Sequence, residues 1–158
     1  MITGTGANLI CSMWVCGGTF AEETLKDTSG EWNSSVISRT YANTMIYKDS
    51  QSANSGIRLI YGGSDTPEHV SDSALVDPIG KFLTQGSVNN TGTRWVATAS
   101  TKHTGEEPIT IKEIGMVLCT QDNRGGQEFL IARKVVPARV VQPNETFTFS
   151  MAIDFTGD

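Results

Sequence analysis

The chain has 158 residues, a length at which one domain can bury a core without disulfide or metal staples. Its net charge of -5 and its scattered lysines and arginines argue against direct binding of nucleic acid. No apolar run approaches the roughly 20 residues that span a bilayer, and the first residues lack the basic start of a signal peptide. We therefore expect a soluble single domain, residues 1–158, made in a cytoplasm without membrane insertion.

Cysteine usage and composition narrow the class further. The three cysteines, Cys11, Cys16 and Cys119, have no second pair at ligand spacing, which favours free, buried thiols over a metal or redox site. Charged residues make up 18% of the chain, below the roughly 25% of an average domain. Together with abundant Gly, Ser, Thr and Asn, this predicts a β-rich protein with many turns and large contact surfaces.

The first third of the chain gives the least decisive patterns. The apolar residues of "ANLICSMWVCGGTF", 7–20, fit a helical stripe and a strand alternation about equally, so residues 1–16 stay open between the two. The polar segments 17–35 and 48–56 are predicted surface loops or assembly arms. Between them, "SSVISRTYANTMIYKD" fits one bent strand, two short strands or a helix.

The stretch "YGGSDTPEHVSDSALVDPI", 61–79, combines two glycines with several acidic residues and one histidine. A phosphate-binding loop needs a helix start and a nearby lysine, which the sequence does not supply. A calcium loop needs oxygen ligands at alternate positions, a central glycine and a closing glutamate, and these are not in register here. The stretch therefore predicts a solvated surface loop, with no cofactor and no metal.

Two apolar, β-branched runs, "PITIKEIGMVLCT" and "EFLIARKVV", flank "QDNRGGQ" and predict an antiparallel hairpin. Gly125 and Gly126 tolerate the positive φ that hairpin turns need. The apolar side of the first run changes near Gly115, which predicts a bulge or a bend. Just before this hairpin, "TRWVATAST" shows the weaker alternation of another strand.

The C-terminal run "ETFTFSMAIDF" has the clearest pattern in the chain. Aromatic and aliphatic residues alternate with small polar ones, which predicts a strand with one buried face. The preceding "QPNE" supplies Pro143 and Asn144 as a turn. Several short strands without a long periodic helix predict an all-β fold, an antiparallel β-sandwich with a jelly-roll-like arrangement of two sheets and long polar loops.

No catalytic constellation emerges from the spacing of reactive residues. The two histidines, His69 and His103, lie in polar loops, and the adjacent pairs Glu22–Glu23 and Glu106–Glu107 would point to opposite faces of a strand. We therefore expect a protein that is not an enzyme.

The order of motifs resembles a loose family of virion structural proteins of tailed bacteriophages, mostly components of the tail, the neck or the fibres. Members start with G-x-N-L-I, matched by Gly6, Asn8, Leu9 and Ile10. A glycine and proline loop follows, matched by Gly62, Gly63, Thr66, Pro67, Ser71 or Asp72, Leu75, Pro78 and Ile79. Then come I-T-I-x-E-I-G-L, seen as "ITIKEIGMVL", L-I-A-R-x-V, seen as "LIARKVV", and a last strand after V-x-P-G-E, seen as "VVQPNETFTFSMAIDF".

The resemblance covers most of the chain in order, apart from residues 17–55. Asn144 stands where the family has a glycine in the last turn, and Asn also tolerates the left-handed conformation. In such proteins the loop is structural: Gly62 and Gly63 permit a sharp exit from a strand, and Pro67 stiffens the turn. Leu75 and Ile79 are then expected to fix the loop to the core, with its polar residues facing solvent or a neighbouring subunit.

The resemblance implies a non-enzymatic virion component that forms a homo-oligomer and contacts other virion structural proteins of the tail, neck or capsid. The alternative is a receptor- or glycan-binding module of a fibre. In that reading Trp32, Tyr41 and Tyr47 would stack on the sugar rings of host-surface glycan. An assembly role instead predicts that Trp32 is buried within or between subunits.

Overall fold

The computed structural model describes residues 1–3, 21–30, 32–37, 56–82, 89–90, 94–120 and 127–154. Within these residues the regular structure consists of strands, and the pairs they form are antiparallel. The all-β expectation is therefore confirmed for this part of the chain. The strands are β1 Ala21–Lys26, β2 Trp32–Ile37, β3 Gly56–Gly62, β4 Pro78–Phe82, β5 Asn89–Asn90, β6 Arg94–Lys102, β7 Ile109–Thr120, β8 Gln127–Val141 and β9 Thr146–Asp154.

The strands form three sheets. The largest has the order β4-β3-β7-β8, the second has the order β5-β6-β9, and β1 pairs with β2. The hairpin predicted from the two β-branched runs is confirmed as β7 and β8, the longest pair in the described chain. Its turn, with Gly125 and Gly126, lies outside the described residues.

Strand β7 is buried on both faces from Glu113 to Leu118, as a central strand covered on two sides must be. The pairing with β8 shifts register between Ile111 and Glu113 and again between Met116 and Val117. The predicted irregularity is therefore present, although it flanks Gly115 and does not fall on it. The first shift brings Ile111 and Ile114 into one core cluster, which strict alternation would have separated.

Strands β6 and β9 pair along their full lengths, from Arg94 with Asp154 to Lys102 with Thr146. The alternation predicted for β9 is confirmed, because Phe147, Met151 and Ile153 are buried. The intervening small residues are exposed. Across the pair on the exposed side, Thr98 donates to the Ser150 hydroxyl at 2.9 Å, and Ser100 and Thr148 share a hydrogen bond of 2.6 Å.

The main core joins residues of the two larger sheets. It combines Leu59 of β3, the inward residues of β7 and β8, Ala97 and Ala99 of β6, and the inward residues of β9. The Tyr61 and Phe147 rings meet edge to face across the sheets, with centroids 5.3 Å apart. A smaller cluster of Ile60, Leu75, Val117 and Leu130 lies on the other side of the four-stranded sheet, which we call its outer face.

Part of segment 17–35 is not the loop that its polarity predicts. Residues 21–26 and 32–37 pair as a two-stranded hairpin, from Ala21 with Ile37 to Lys26 with Trp32. Pairing between the two strands gives hydrogen-bond partners to backbone N–H and C=O groups that would bond to water in a loop. The turn uses Gly30 at φ 89°, and the Thr28 amide donates to the Glu128 carbonyl at 2.9 Å, which ties the turn to β8.

The chain start is described only at residues 1–3, where Ile2 forms an antiparallel bridge with Ala132 of β8. Residues 4–16, for which the sequence leaves helix and strand open, lie outside the described residues. Residues 48–55 of the second predicted loop also lie outside them. The last predicted turn is confirmed: Asn144 adopts φ 67°, the left-handed conformation that Asn tolerates better than most residues with a side chain.

Candidate functional site

The outer face of the four-stranded sheet holds a buried ion pair. Glu113 of β7 and Arg133 of β8 are 0% and 1% exposed, and the Arg133 Nε donates to the Glu113 Oε2 at 2.7 Å. The register places Gly115 opposite Arg133 and Val135 opposite Glu113, so the two side chains meet diagonally across adjacent strands. A buried charge of either sign needs such a partner.

Arg133 also binds the loop 63–77 between β3 and β4, which we call the strap. Its Nη1 donates to the Asp72 Oδ2 at 3.0 Å and to the Pro67 carbonyl at 3.3 Å, and its Nη2 donates to the Thr66 carbonyl at 2.8 Å. Burial alone would lower the pKa of Arg133, but hydrogen bonds and attraction from Glu113 and Asp72 raise it above its ordinary value. The guanidinium therefore stays charged and orders the strap.

Glu113 holds the far end of the strap. Its Oε1 accepts the Asp77 amide at 2.8 Å, and its Oε2 accepts the Val76 amide at 3.3 Å. One carboxylate thus receives two backbone amides and one guanidinium, a set of charge-assisted bonds that suits a buried anion. The strap is fastened to β7 at this end and to β8 through Arg133.

Gly62 and Gly63 allow this close approach. A Cβ at Gly62 would lie 2.5 Å from the Glu113 Oε1 and overlap the Asp77 carbonyl, and one at Gly63 would lie 2.5 Å from the Asp77 Oδ2. The resemblance implies that these glycines permit a sharp exit from the strand. In the structure neither has a positive φ, and what requires glycine is the strap returning over their backbone.

Two further carboxylates of the strap reach the sheet. The Glu68 Oε1 accepts the Val135 amide of β8 at 2.8 Å, and this bond lowers the pKa of Glu68. Asp65 pairs with Lys112 of β7 at 3.0 Å, and the hydrogen bond to Lys112 lowers the pKa of Asp65. The Asp65 side chain is largely exposed, so this second pair is weak.

The expectation that the polar residues of the strap face solvent is wrong for Glu68 and Asp72. Both turn toward β8, because Arg133 and the Val135 amide need acceptors there. Leu75 fixes the strap to the sheet as predicted, at 5% exposure. Ile79 does not, since it lies in β4 with 40% of its surface exposed.

Other predicted positions have simpler outcomes. Pro67 contributes its carbonyl to Arg133, and Gly115 lies under the strap, where a Cβ would come within 3.0 Å of Leu75 Cδ2. Trp32 begins β2. Tyr41 and Tyr47 lie outside the described residues.

Sequence reasoning missed the two central residues, Glu113 and Arg133. A signal for both was present: each is a charged residue in a strand run that is otherwise mostly apolar, although each also adjoins a lysine, in "ITIKEIGMVL" and "LIARKVV". Charged residues are almost never fully buried unless they are paired. Two such residues in the arms of one predicted hairpin therefore indicated an ion pair.

Both histidines form local hydrogen bonds. The His69 Nδ1 lies 2.7 Å from the Ser71 hydroxyl, and the His103 Nε2 lies 2.7 Å from the Glu107 carbonyl, so each ring is bonded within its own turn. Within the described ranges no group of three or more His, Cys, Asp or Glu side chains is placed to hold a metal ion. Nor does this part of the chain contain a helix long and apolar enough to cross a membrane.

A cavity of about 280 Å³ lies beside the strap on the outer face. Its walls are mainly apolar, and include Ile60, Leu75 and Ile79, while Lys81 and Glu128 contribute the charged part. Glu128 pairs with Lys81 at 2.7 Å and with Arg58 at 3.0 Å. The charged side chains near this cavity are therefore paired with one another.

Comparisons with protein-family models, with curated proteins and with solved structures found no match to this chain.

Proposed function

We propose that this protein is a non-enzymatic structural component of a tailed bacteriophage particle, of the tail, neck or capsid-associated kind. It acts by self-assembly into a homo-oligomer and by contact with other virion proteins. Its two larger sheets pack as a β-sandwich. The support for this packing is the core that both sheets share, to which β3, β6, β7, β8 and β9 contribute. The jelly-roll-like strand arrangement belongs to the same proposal.

The observation that carries the proposal is the convergence of separate motifs of the resemblance on one structural unit. The glutamate of "ITIKEIGMVL" and the arginine of "LIARKVV" form the buried pair. The glycine and proline loop supplies Thr66, Pro67 and Asp72 to that arginine. Motifs that are each weak alone are therefore coupled by direct contact, as expected of residues that specify one shared fold.

The chemistry of this unit supports a structural role over a catalytic one. The carboxylates and the guanidinium are used in bonds to the backbone and to each other. A catalytic site instead needs reactive groups that meet a substrate in a cleft. The ion pair lies beneath the strap, where no substrate reaches it without displacing residues 63–77.

The exposed side of β6 and β9 supports assembly. Ser100, Thr148, Ser150 and Ala152 are exposed there, and Thr98 is half-buried. A row of small uncharged residues on a sheet is suited to close contact with a neighbouring subunit, because interface centres are depleted in charge. Interfaces of permanent assemblies bury roughly 2,000 Å² or more, so this face would be one part of a larger contact.

The test is the mass of the purified protein in solution by light scattering, together with negative-stain images. A closed ring or another discrete oligomer supports the proposal. Thr148→Lys should then shift the mass toward the monomer, because it places a charge in the contact. Thr110→Lys, an exposed change on the other sheet, is the matched control and should leave the mass unchanged.

A stable monomer at all concentrations, both alone and with candidate virion proteins, would contradict the assembly role. Binding of that monomer to host-surface glycan in an array would then support the receptor-binding alternative, in which Trp32, Tyr41 and Tyr47 contact sugar. Hydrolysis of host polysaccharide by the purified protein would contradict the non-enzymatic part of the proposal.

A further inference from the structure

The strap is held to the sheet chiefly by carboxylates. Glu113 receives the amides of Val76 and Asp77, Asp72 receives the Arg133 guanidinium, and Glu68 receives the Val135 amide. Each of these four bonds depends on a carboxylate that accepts without donating, whereas the two bonds from Arg133 to the Thr66 and Pro67 carbonyls do not. Protonation of a carboxylate removes its charge and weakens every bond of this kind.

The apolar attachment of the strap is small in comparison. Leu75 is the strap residue in the cluster with Ile60, Val117 and Leu130. The other large aliphatic side chains of the strap, Val70 and Val76, are 56% and 54% exposed. The two larger sheets, in contrast, share a core of many buried apolar residues that protonation does not touch.

The other charged groups around the strap make its attachment depend more strongly on ionised carboxylates. The strap itself carries Asp65, His69 and Asp77 in addition to Glu68 and Asp72. Strand β7 presents Lys112 beside Glu113, and the amino group of Met1 donates to the Arg133 carbonyl at 2.7 Å. With the carboxylates neutral, the charges left at this face are cations, which repel one another.

We propose that the strap is an acid-released lid: protonation of the carboxylates that fasten residues 63–77 frees them from β7 and β8 while the two larger sheets remain folded. Release withdraws Leu75 and uncovers the apolar surface of Ile60, Val117 and Leu130. The protein thereby exposes at low pH an apolar patch that is closed at neutral pH. This device goes beyond the proposed virion role and does not depend on it.

Hydrogen exchange followed by mass spectrometry tests the lid in the unaltered protein. Protection is measured from neutral pH down to about pH 3.5 and is corrected at each pH with an unfolded reference of the same sequence. Peptides covering residues 63–77 should lose at least about tenfold of their protection at a pH where peptides of β6 and β9 lose less than about twofold. Loss of protection in both regions at the same pH would overturn the proposal.

A charge-neutral variant tests the same idea without acid. Glu68→Gln combined with Asp72→Asn removes two fastening carboxylates that are not fully buried, so the core is left intact. At pH 7 the strap peptides should exchange at least about tenfold faster, with β6 and β9 unchanged within about twofold. Glu106→Gln, an exposed change in the turn after β6, is the matched control and should alter neither region.

Unchanged strap protection in the double variant would show that these carboxylates do not fasten the strap, which contradicts the proposal. If the double variant does not fold, the single change Glu68→Gln and the pH series on the unaltered protein still decide between a separate lid and one cooperative unit.

Discussion

At the scale of single residues, Arg133 connects several separate parts of the described chain. Its guanidinium meets Glu113 of β7, Asp72, and two backbone carbonyls of the strap, while its own backbone pairs with Met1. Because a guanidinium is planar and presents several donors in a fixed geometry, it can satisfy partners in different directions at once. Lysine, with a single ammonium group, would not replace it.

Arg133→Met should lower the free energy of unfolding by about 3–5 kcal/mol, because it leaves the buried Glu113 carboxylate without its cation. Urea unfolding at pH 7 measures the change. Lys134→Met is the matched control: this neighbouring side chain is exposed, and its loss should change stability by no more than about 0.5 kcal/mol.

The double change Arg133→Met with Glu113→Gln removes both charges together and keeps a side-chain oxygen to accept from the strap amides. Since no buried charge is then left unpaired, its stability should exceed that of Arg133→Met alone. A double variant less stable than the single variant would show that Arg133 and Glu113 do not act as a pair.

At the scale of elements, β7 contributes buried residues to both faces of the four-stranded sheet. Ile111, Ile114 and Met116 join the main core, while Val117 faces the smaller cluster under the strap. The first register shift in its pairing with β8 puts Ile111 on the same face as Ile114 and Met116, and ordinary alternation turns Val117 to the other face. The second shift leaves its extra residue on β8, where Ile131 and Ala132 both join the main core. The strap could not pack on β7 if a larger side chain stood at Gly115.

Gly115→Ala should destabilise the protein by about 1–3 kcal/mol through overpacking. The added Cβ would lie 2.9 Å from Leu130 Cδ1 and 3.0 Å from Ile60 Cγ1 and Leu75 Cδ2. Thermal unfolding should show a lower midpoint, and strap peptides should lose protection against hydrogen exchange.

Gly105→Ala is a useful comparison for this change. The atoms nearest to its added Cβ belong to the His103 ring, which is partly exposed and can turn aside. A midpoint for Gly115→Ala equal to that of Gly105→Ala would argue that the contact between strap and β7 is looser than the distances indicate.

At the scale of the whole molecule, stability should depend on pH through carboxylates that are better stabilised as anions in the fold. Bonds to backbone amides lower the pKa of Glu68 and Glu145 from the ordinary value of 4.5. A lowered folded-state pKa contributes stability above the unfolded-state value, and this contribution disappears as the pH falls through the folded-state value. The protein should therefore lose stability below about pH 4.5.

Glu68→Gln should lower the free energy of unfolding at pH 7 by about 1 kcal/mol or less, since Gln keeps an oxygen that accepts the Val135 amide and only the charge of this partly buried bond is lost. The same variant should lose less stability than the unaltered protein between pH 5 and about pH 3.5, because one titrating group is gone. Urea unfolding at several pH values measures both. Parallel pH curves for the two proteins would contradict the role given to Glu68.

The sequence by itself determined the elements with strong local patterns. Alternation identified β9, and β-branched runs on either side of a glycine-containing turn identified β7 and β8. Asn144 marked the last turn, because Asn tolerates a positive φ. Strand pairing in the polar segment 21–37 was not visible, because that segment lacks the apolar alternation by which strands are recognised. A sequence pattern predicts a strand when every second residue along it is apolar and buried.

The tertiary structure alone decided what the strap does. Its acidic residues suggested a solvated loop, since nothing near them in sequence needs an anion. The group that Asp72 serves, Arg133, lies about sixty residues away on β8, and Glu68 accepts the Val135 amide of the same strand. Likewise Gly62 and Gly63 are required by a chain that returns over them from Asp77, and not by their own φ angles. Contacts between distant residues set the environment of a charge or a glycine, and the sequence states only which residue is there.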